Sequence, residues 1–186
     1  MAINNPAPPK KSTLDTAANI AIIVVCALAA VVLVRQHFFP PRPQAADGMP
    51  QVVKGEKYAE LKAVVPTGAS RALVVAVQPG CHFCNESMPF YKRLIDERNQ
   101  KGSQLKVVAA VPAPEKPEEA QKLASDESEK FASAGARPDS MVNLDFRAIK
   151  VPGTPTLLLV DNSGKVLDVW VGKLDDDREK EVLKTL

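Results

Sequence analysis

Two short, mostly apolar runs in the chain predict buried β-strands. Ala72–Val77 is entirely apolar, and Leu105–Val111 has a single lysine among apolar residues. A strand that is covered on both faces of a parallel sheet needs no alternation of polar side chains, so such runs are typical of this position. We therefore place both runs in the centre of a sheet.

Helical spacing of apolar residues follows each of these strands. Residues 82–100 are predicted to form one helix, and residues 118–135 a charged amphipathic helix whose acids and lysines make a solvated face. A shorter helix over residues 57–65 is predicted to end at Pro66. In the helix over residues 82–100, the core-facing positions would be Met88, Tyr91, Leu94 and Ile95.

The C-terminal third predicts a hairpin and a closing helix. Thr156–Asp161 and Val166–Val171 are strand-like and flank Asn162-Ser163-Gly164, a good turn sequence. Asp175 is predicted to begin the last helix, because acids in a first turn suit the positive end of the helix dipole. Before the hairpin, we expect a short strand over Met141–Leu144 and a turn of helix over Asp145–Lys150.

A longer apolar run near the N-terminus predicts a membrane span. Residues 16–34 hold 19 positions without a formal charge. At about 1.5 Å per residue, a helix of that length crosses most of a hydrocarbon core about 30 Å thick. A cleaved signal peptide would have a shorter apolar region and a small-residue cleavage site. We expect a cytoplasmic tail (1–15), an uncleaved transmembrane signal anchor (16–35), a Pro-rich linker (36–51) and a folded domain (52–186).

Charge is distributed unevenly between these parts. Four of the 24 Lys and Arg residues and one of the 22 acids precede residue 45, so the remaining domain is close to neutral. A neutral domain without a basic stripe is not the pattern of a nucleic-acid-binding protein. Lys10 and Lys11 before the apolar run, against Arg35 and Arg42 after it, give a small bias toward a cytoplasmic N-terminus and an extracytoplasmic domain.

Cysteine usage indicates redox chemistry. Cys81 and Cys84 form a CxxC motif between the first predicted strand and the helix that follows it. Free backbone N–H groups and the helix dipole favour a thiolate there, and a second thiol one turn away completes the pair that thiol–disulfide exchange needs. A structural disulfide is the alternative. Three cysteines and two histidines make a zinc site improbable, so no metal and no cofactor beyond the Cys81–Cys84 disulfide is predicted.

Two segments together resemble the thioredoxin superfamily. The first is strand, CxxC and helix, in which Cys84-Asn-Glu-Ser-Met-Pro89 is similar to the segment after the active site of membrane-anchored TlpA/ResA-type thiol–disulfide oxidoreductases. The second, Val151-Pro-Gly-Thr154-Pro155-Thr, resembles the family's cis-proline loop. The resemblance covers roughly residues 50–186. It implies an α/β thioredoxin-like fold, with a central mixed β-sheet flanked by helices and a central helical insertion over residues 112–140.

The same resemblance implies roles for individual residues. Cys81 would attack a substrate disulfide as the nucleophile, and Cys84 would resolve the mixed disulfide. Thr154 and Pro155 would form a cis peptide bond that faces the cysteines, and the Thr154 backbone would pair with a substrate peptide. Four residues would thus bind substrate and support the active site: Thr154, Pro155, and the two residues between the cysteines, His82 and Phe83.

Several positions near the cysteines depart from the family pattern. Strongly oxidising relatives carry a histidine next to the second cysteine, where this chain has Phe83. Two roles therefore stay open for His82: it stabilises the Cys81 thiolate, or it faces solvent with modest influence. Ser87 stands where relatives have a glutamate, and Val75 where thioredoxin has a buried acid. These departures concern the rate and the preferred direction of disulfide exchange, and they leave the expected fold unchanged.

The predicted function is that of a membrane-tethered thiol–disulfide oxidoreductase on the periplasmic side of the inner membrane. Its partners would be exported protein thiols and disulfides, with apocytochromes or their maturation factors as candidates, and a membrane or soluble thiol reductant. A thioredoxin-fold scaffold with vestigial cysteines stays an alternative. A peroxiredoxin-like peroxide reductase is the second alternative, although such sites usually have Thr or Ser where Gln78 stands. A copper carrier would need a CxxxC pair and a histidine beyond His82, which the chain does not have.

Overall fold

The computed structural model describes residues 20, 22–31 and 51–186, which belong to two compact units. In the first unit, residues 22–31 are helical and exposed. Within the described ranges, no helix combines the length and the apolar character that a membrane crossing requires. The predicted tail, most of the linker and both ends of the predicted span lie outside the described residues, so the signal anchor stays a prediction.

The second unit contains a five-stranded mixed sheet, as expected. Its strands are β1 (Arg71–Ala76), β2 (Lys106–Pro112), β3 (Ser140–Leu144), β4 (Thr156–Asp161) and β5 (Val166–Val171), in the order β3-β2-β1-β4-β5. The first three run parallel to one another, whereas β4 is antiparallel to both β1 and β5. Five helices belong to this unit: α1 (Ala59–Val64), α2 (His82–Glu86), α3 (Met88–Lys101), α4 (Pro117–Ser133) and α5 (Asp176–Leu183).

The central strand β1 is covered on both faces, which explains its unbroken apolar sequence. Leu73 and Val75 belong to a core cluster with residues of α3, α4 and α5. Ala72 and Val74 belong to a second cluster on the other face, which includes Leu61 of α1. The four core positions predicted for the helix after the cysteines are all buried, and all belong to the first cluster: Met88, Tyr91, Leu94 and Ile95.

The prediction of one continuous helix over residues 82–100 is wrong. The chain forms α2 and α3, which meet at Ser87, where the backbone N–H donates to the carbonyl groups of both Phe83 (3.1 Å) and Cys84 (3.2 Å). The cause is Pro89, which has no N–H for the carbonyl of Asn85 and whose ring crowds that carbonyl. The break separates a short helix, which contains Cys84 and has Cys81 as its N-cap, from the longer helix that packs in the core.

Of two smaller predictions, the turn of helix over residues 145–150 is present as a single turn and the other needs correction. The Ile149 N–H donates to the Asp145 carbonyl (3.3 Å), and the Asp145 carboxylate accepts from the N–H groups of Arg147 (2.9 Å) and Ala148 (3.1 Å), as an N-cap does. Lys150, in the left-handed region at φ +58°, ends the turn. The charged face of α4 is not wholly solvated, since Glu127 is 3% exposed and forms an ion pair with Lys130. The hairpin is as predicted, and so is the last helix, whose N-cap Asp175 accepts from the Arg178 N–H (2.9 Å).

Candidate active site

Antiparallel pairing of β1 and β4 assembles the site. The cysteines follow the carboxyl end of β1, and Thr154 and Pro155 directly precede the amino end of β4. Ala76 pairs with Thr156, so these two ends are neighbours in the sheet. The Thr154–Pro155 peptide bond is cis, as predicted. The sheet therefore brings the CxxC motif and the cis-proline loop together across a separation of 73 residues between Cys81 and Thr154.

The two cysteines form a disulfide with an S–S distance of 2.15 Å. Cys81 is the N-cap of α2, and its Sγ accepts a hydrogen bond from the Cys84 N–H (3.1 Å). The same sulfur lies 3.4 Å from the Thr154 carbonyl oxygen, a group to which a reduced Cys81 thiol could donate. Cys81 is 9% exposed and Cys84 only 2%. An incoming thiol or disulfide thus reaches the sulfur of Cys81 more readily than that of Cys84.

The two residues between the cysteines face solvent. The side chain of His82 is 75% exposed, and its Nε2 lies 3.0 Å from Glu86 Oε1, one helical turn away. In the disulfide form the imidazole is thus paired with a carboxylate, which agrees with the solvent-facing alternative for His82. Phe83 is 55% exposed and, with Val53, is one of the exposed large apolar side chains within residues 51–186. It presents an aromatic surface beside the disulfide.

Two residues that directly follow β5, Gly172 and Lys173, contact the site but were not predicted from the sequence. The Gly172 N–H donates to the Pro155 carbonyl (2.7 Å), with Gly172 in the left-handed region at φ +79°. Lys173 Nζ donates to Glu86 Oε2 (2.7 Å). This hydrogen bond, together with the charges of Lys173 and His82, lowers the pKa of Glu86. The glycine was visible as a turn signal, but nothing in the sequence related it or the lysine to the cis-proline loop.

The interior behind the cysteines is largely apolar. Val75 is fully buried, and the Ser87 hydroxyl donates to the Phe83 carbonyl (2.8 Å). Tyr91 is 1% exposed, and among the described residues its hydroxyl has no hydrogen-bond partner. Burial raises the pKa of Tyr91, and the nearby Ser87 hydroxyl opposes only part of that shift. Val75 and Ser87, which stand where relatives have acids, thus place no carboxylate behind the cysteines.

Replacing Tyr91 with Phe is expected to improve stability at alkaline pH. The unfolded tyrosine ionises near its ordinary pKa of 10.0, whereas the folded one keeps its proton to higher pH. Above about pH 10 the unfolded chain therefore binds fewer protons than the folded chain, and stability falls as pH rises. Near pH 7 the change should stay within about 1 kcal/mol, because no hydrogen bond is lost. Urea unfolding of both proteins from neutral to alkaline pH measures this, and parallel stability profiles would contradict it.

A comparison with family models identifies the domain. Residues 58–186 match the family described as the thioredoxin-like domain. The chain belongs to the thioredoxin-like family. This membership, together with the Cys81–Cys84 disulfide, confirms the predicted class, a thioredoxin-like thiol–disulfide oxidoreductase. No curated protein sequence is significantly similar to the chain.

Solved structures similar to this thioredoxin-like protein include three bacterial ones. A putative thiol:disulfide interchange protein DsbE from Chlorobium tepidum is 18% identical (TM-score 0.48; 74% of this chain and 97% of that chain). StoA from Bacillus subtilis is 14% identical (TM-score 0.47; 63% and 85%). The thioredoxin domain of a thiol-disulfide oxidoreductase from Bacteroides vulgatus is 18% identical (TM-score 0.45; 63% and 79%).

Proposed function

We propose that this protein is a membrane-tethered oxidoreductase that exchanges disulfides with exported proteins. The observation that carries the proposal is the Cys81–Cys84 disulfide, whose outer sulfur lies against the Thr154 carbonyl of the cis-proline loop. A purely structural disulfide would not require Cys81 Sγ to lie beside a loop whose backbone can pair with a substrate. Apocytochromes and their maturation factors are the substrates that the resemblance to TlpA/ResA-type proteins favours.

The proposed reaction proceeds in two exchange steps. The Cys81 thiolate attacks one sulfur of a substrate disulfide, a Cys81–substrate bond forms, and the other substrate sulfur leaves as a thiolate. The Cys84 thiolate then attacks Cys81 Sγ, which forms the Cys81–Cys84 disulfide and releases the second substrate thiolate. Two electrons pass from the dithiol to the substrate. A thiol reductant, in the membrane or in solution, restores the dithiol by the same steps, and no metal or other cofactor takes part.

Residues near the sulfurs have distinct proposed roles. The Cys84 N–H, directed at Cys81 Sγ, stabilises the thiolate that begins the reaction and later leaves. Thr154 and Pro155 hold the substrate backbone beside Cys81. Phe83 offers an exposed apolar contact to the substrate, and His82 lies at the rim of the site.

The tether is proposed from the N-terminal sequence. Residues 16–35 would form a single membrane span, which residues 36–51 separate from the catalytic domain on the periplasmic side of the inner membrane. The uncharged run supports this, and so does the exposure of apolar side chains on the helical residues 22–31, which suits a lipid environment. The lysines before the run favour a cytoplasmic N-terminus.

The test uses the full chain in isolated membranes, with Cys26 replaced by Ala so that only the CxxC thiols react. After an alkaline wash the protein should stay in the membrane pellet, and Cys81–Cys84 should titrate as one reversible two-electron couple in defined thiol buffers. A reduction potential of about −270 mV would indicate a reductant, and one of about −120 mV would indicate an oxidant of exported proteins. Absence of a reversible couple would refute the exchange reaction, and release by the wash would refute the tether.

The proposed orientation is tested with a membrane-impermeant maleimide. Added to intact spheroplasts, it should modify reduced Cys81. Labelling that requires inverted vesicles would place the domain in the cytoplasm.

A further inference from the structure

The carboxylate of Glu86 joins two separate parts of the site. Glu86 is the last residue of α2, and each of its carboxylate oxygens faces a different partner. Oε1 lies 3.0 Å from Nε2 of His82, the first residue of the same helix, and Oε2 accepts a hydrogen bond from Lys173 Nζ (2.7 Å). This one carboxylate thus connects the residue that follows Cys81 to the segment that follows β5.

The Lys173 end of this connection is held by the fold. Lys173 directly follows Gly172, whose N–H donates to the Pro155 carbonyl (2.7 Å), so the segment that carries the lysine is bound to the cis-proline loop. The hydrogen bond from Lys173 is also the largest cause of the lowered pKa of Glu86, which makes this group a carboxylate at neutral pH. The imidazole of His82 therefore faces an anchored negative charge.

This contact turns the imidazole away from Cys81. A helical side chain that is free leans toward the N-terminus of its helix, and Cys81 is the N-cap of α2. Glu86 lies one turn away in the opposite direction. Within residues 51–186, no hydrogen bond joins the imidazole to Cys81 Sγ. In the disulfide form, Glu86 thus holds the ring of His82 away from the sulfur.

A thiolate at Cys81 would gain from a further hydrogen-bond donor. In the described part of the chain its Sγ has one donor, the Cys84 N–H (3.1 Å), and it lies 3.4 Å from the Thr154 carbonyl oxygen. A carbonyl oxygen accepts from a thiol but repels a thiolate. A protonated imidazole would be a strong additional donor, because hydrogen bonds between ionised groups are stronger than those between neutral groups. The position of His82 therefore affects the stability of the reduced form.

We propose that Glu86 is a positioning residue: it holds His82 away from Cys81 and so keeps the Cys81–Cys84 disulfide a weaker oxidant than it would otherwise be. A donor that stabilises the Cys81 thiolate favours the dithiol, and a disulfide whose dithiol is stabilised is a stronger oxidant. Glu86 competes with that thiolate for the same imidazole. The proposal rests on the exchange reaction proposed above and adds to it the residue that sets the position of His82.

The test is a double-mutant cycle of H82A and E86Q, the second of which removes the charge of Glu86 and keeps its size. Each protein is full-length, carries Cys26→Ala and is equilibrated with thiol–disulfide buffers of defined ratio. Two thiols of the buffer become one disulfide while the protein disulfide becomes the dithiol, so two electrons pass. Free protein thiols are then alkylated with a maleimide of high mass. Electrophoresis gives the fraction of dithiol and hence the equilibrium constant.

E86Q is expected to favour the dithiol about fivefold when His82 is present, which raises the reduction potential by about 20 mV. In the H82A protein the same change should have less than about a twofold effect, because it removes only a screened charge. H82A alone should matter little, whereas in E86Q it should cancel most of the gain. This non-additivity measures the coupling between the two side chains.

E97Q is the matched control. Glu97 is also a partly exposed helical glutamate beside a lysine: its Oε2 lies 3.6 Å from Lys101 Nζ, and its side chain is 33% exposed, against 37% for Glu86. Glu97 lies in the second half of α3, and among the described residues it has no ion pair with a residue of the site. E97Q should therefore leave the equilibrium constant unchanged.

The possible failures are distinguishable. If the wild type shows no reversible couple, the proposed exchange reaction itself is wrong. If it shows one, but E86Q leaves the equilibrium constant unchanged or shifts it toward the disulfide, the role of Glu86 is overturned while the exchange reaction stands. An equal shift by E86Q with and without His82 would also overturn the inference, because Glu86 would then act on the thiolate by its charge alone. A shift of the same size in E97Q would do so as well.

Discussion

Replacing Cys81 with Ser is expected to reduce disulfide exchange to the uncatalysed background, a loss of at least about 10³-fold in rate. The serine hydroxyl is not ionised near neutral pH, and its oxygen cannot form the mixed disulfide through which the electrons pass. Cys84 is not expected to substitute, because it is only 2% exposed, against 9% for Cys81. The rate at which the reduced protein reduces a peptide disulfide measures the loss. Residual exchange at near the wild-type rate would remove Cys81 from the mechanism.

The matched variant Cys84→Ser separates attack from resolution. It keeps the nucleophile but removes the thiol that releases the substrate, so a mixed disulfide between Cys81 and the substrate should accumulate. Non-reducing electrophoresis and mass spectrometry detect this species. If the mixed disulfide instead forms on Cys84 in the Cys81→Ser protein, the roles of the two cysteines are reversed. Cys26→Ser, outside the CxxC motif, should behave as the wild type.

Replacing Phe131 with Ala is expected to destabilise the domain by about 3–5 kcal/mol. Phe131 is 1% exposed and anchors α4, the helix of the insertion, to the core. Its ring stacks on that of Tyr91, with centroids 5.6 Å apart and planes 7° apart, so truncation removes the contact and leaves a cavity. Because the total stability of a domain is about 5–15 kcal/mol, this loss is a large fraction of it.

The measurement is urea unfolding of residues 45–186, which form their own compact unit, in the oxidised state. Phe131→Leu, which retains much of the volume, should lose less than Phe131→Ala. Lys122→Ala lies on the exposed side of the same helix and should change stability by less than about 0.5 kcal/mol. A loss below about 1 kcal/mol in Phe131→Ala would mean that α4 contributes little to the core.

Local sequence determined most of the individual elements. The strand β1 was predictable because a run without polar residues has few folded environments other than the interior of a covered sheet. The hairpin of β4 and β5 was predictable because its turn sequence and its two apolar runs adjoin in the chain. The break at Ser87 was missed, although Pro89 is a known helix-breaking residue. The apolar residues around Pro89 keep helical spacing, and this pattern predicted one continuous helix.

The sequence by itself determined the reactive cysteines, the cis-proline loop and the kind of fold, since each is encoded in a short run of neighbouring residues. Only the tertiary structure decided which distant residues surround the disulfide. The approach of Thr154 to Cys81 follows from the pairing of β1 with β4, and the contact of Lys173 with Glu86 from the position of β5 beside β4. Arg147 and Thr154 line one cleft of about 500 Å³ because the parallel pairing of β3 with β2 brings the loop after β3 to the same edge of the sheet. Strand order depends on the packing of both core clusters at once, and no local pattern of polar and apolar residues encodes it.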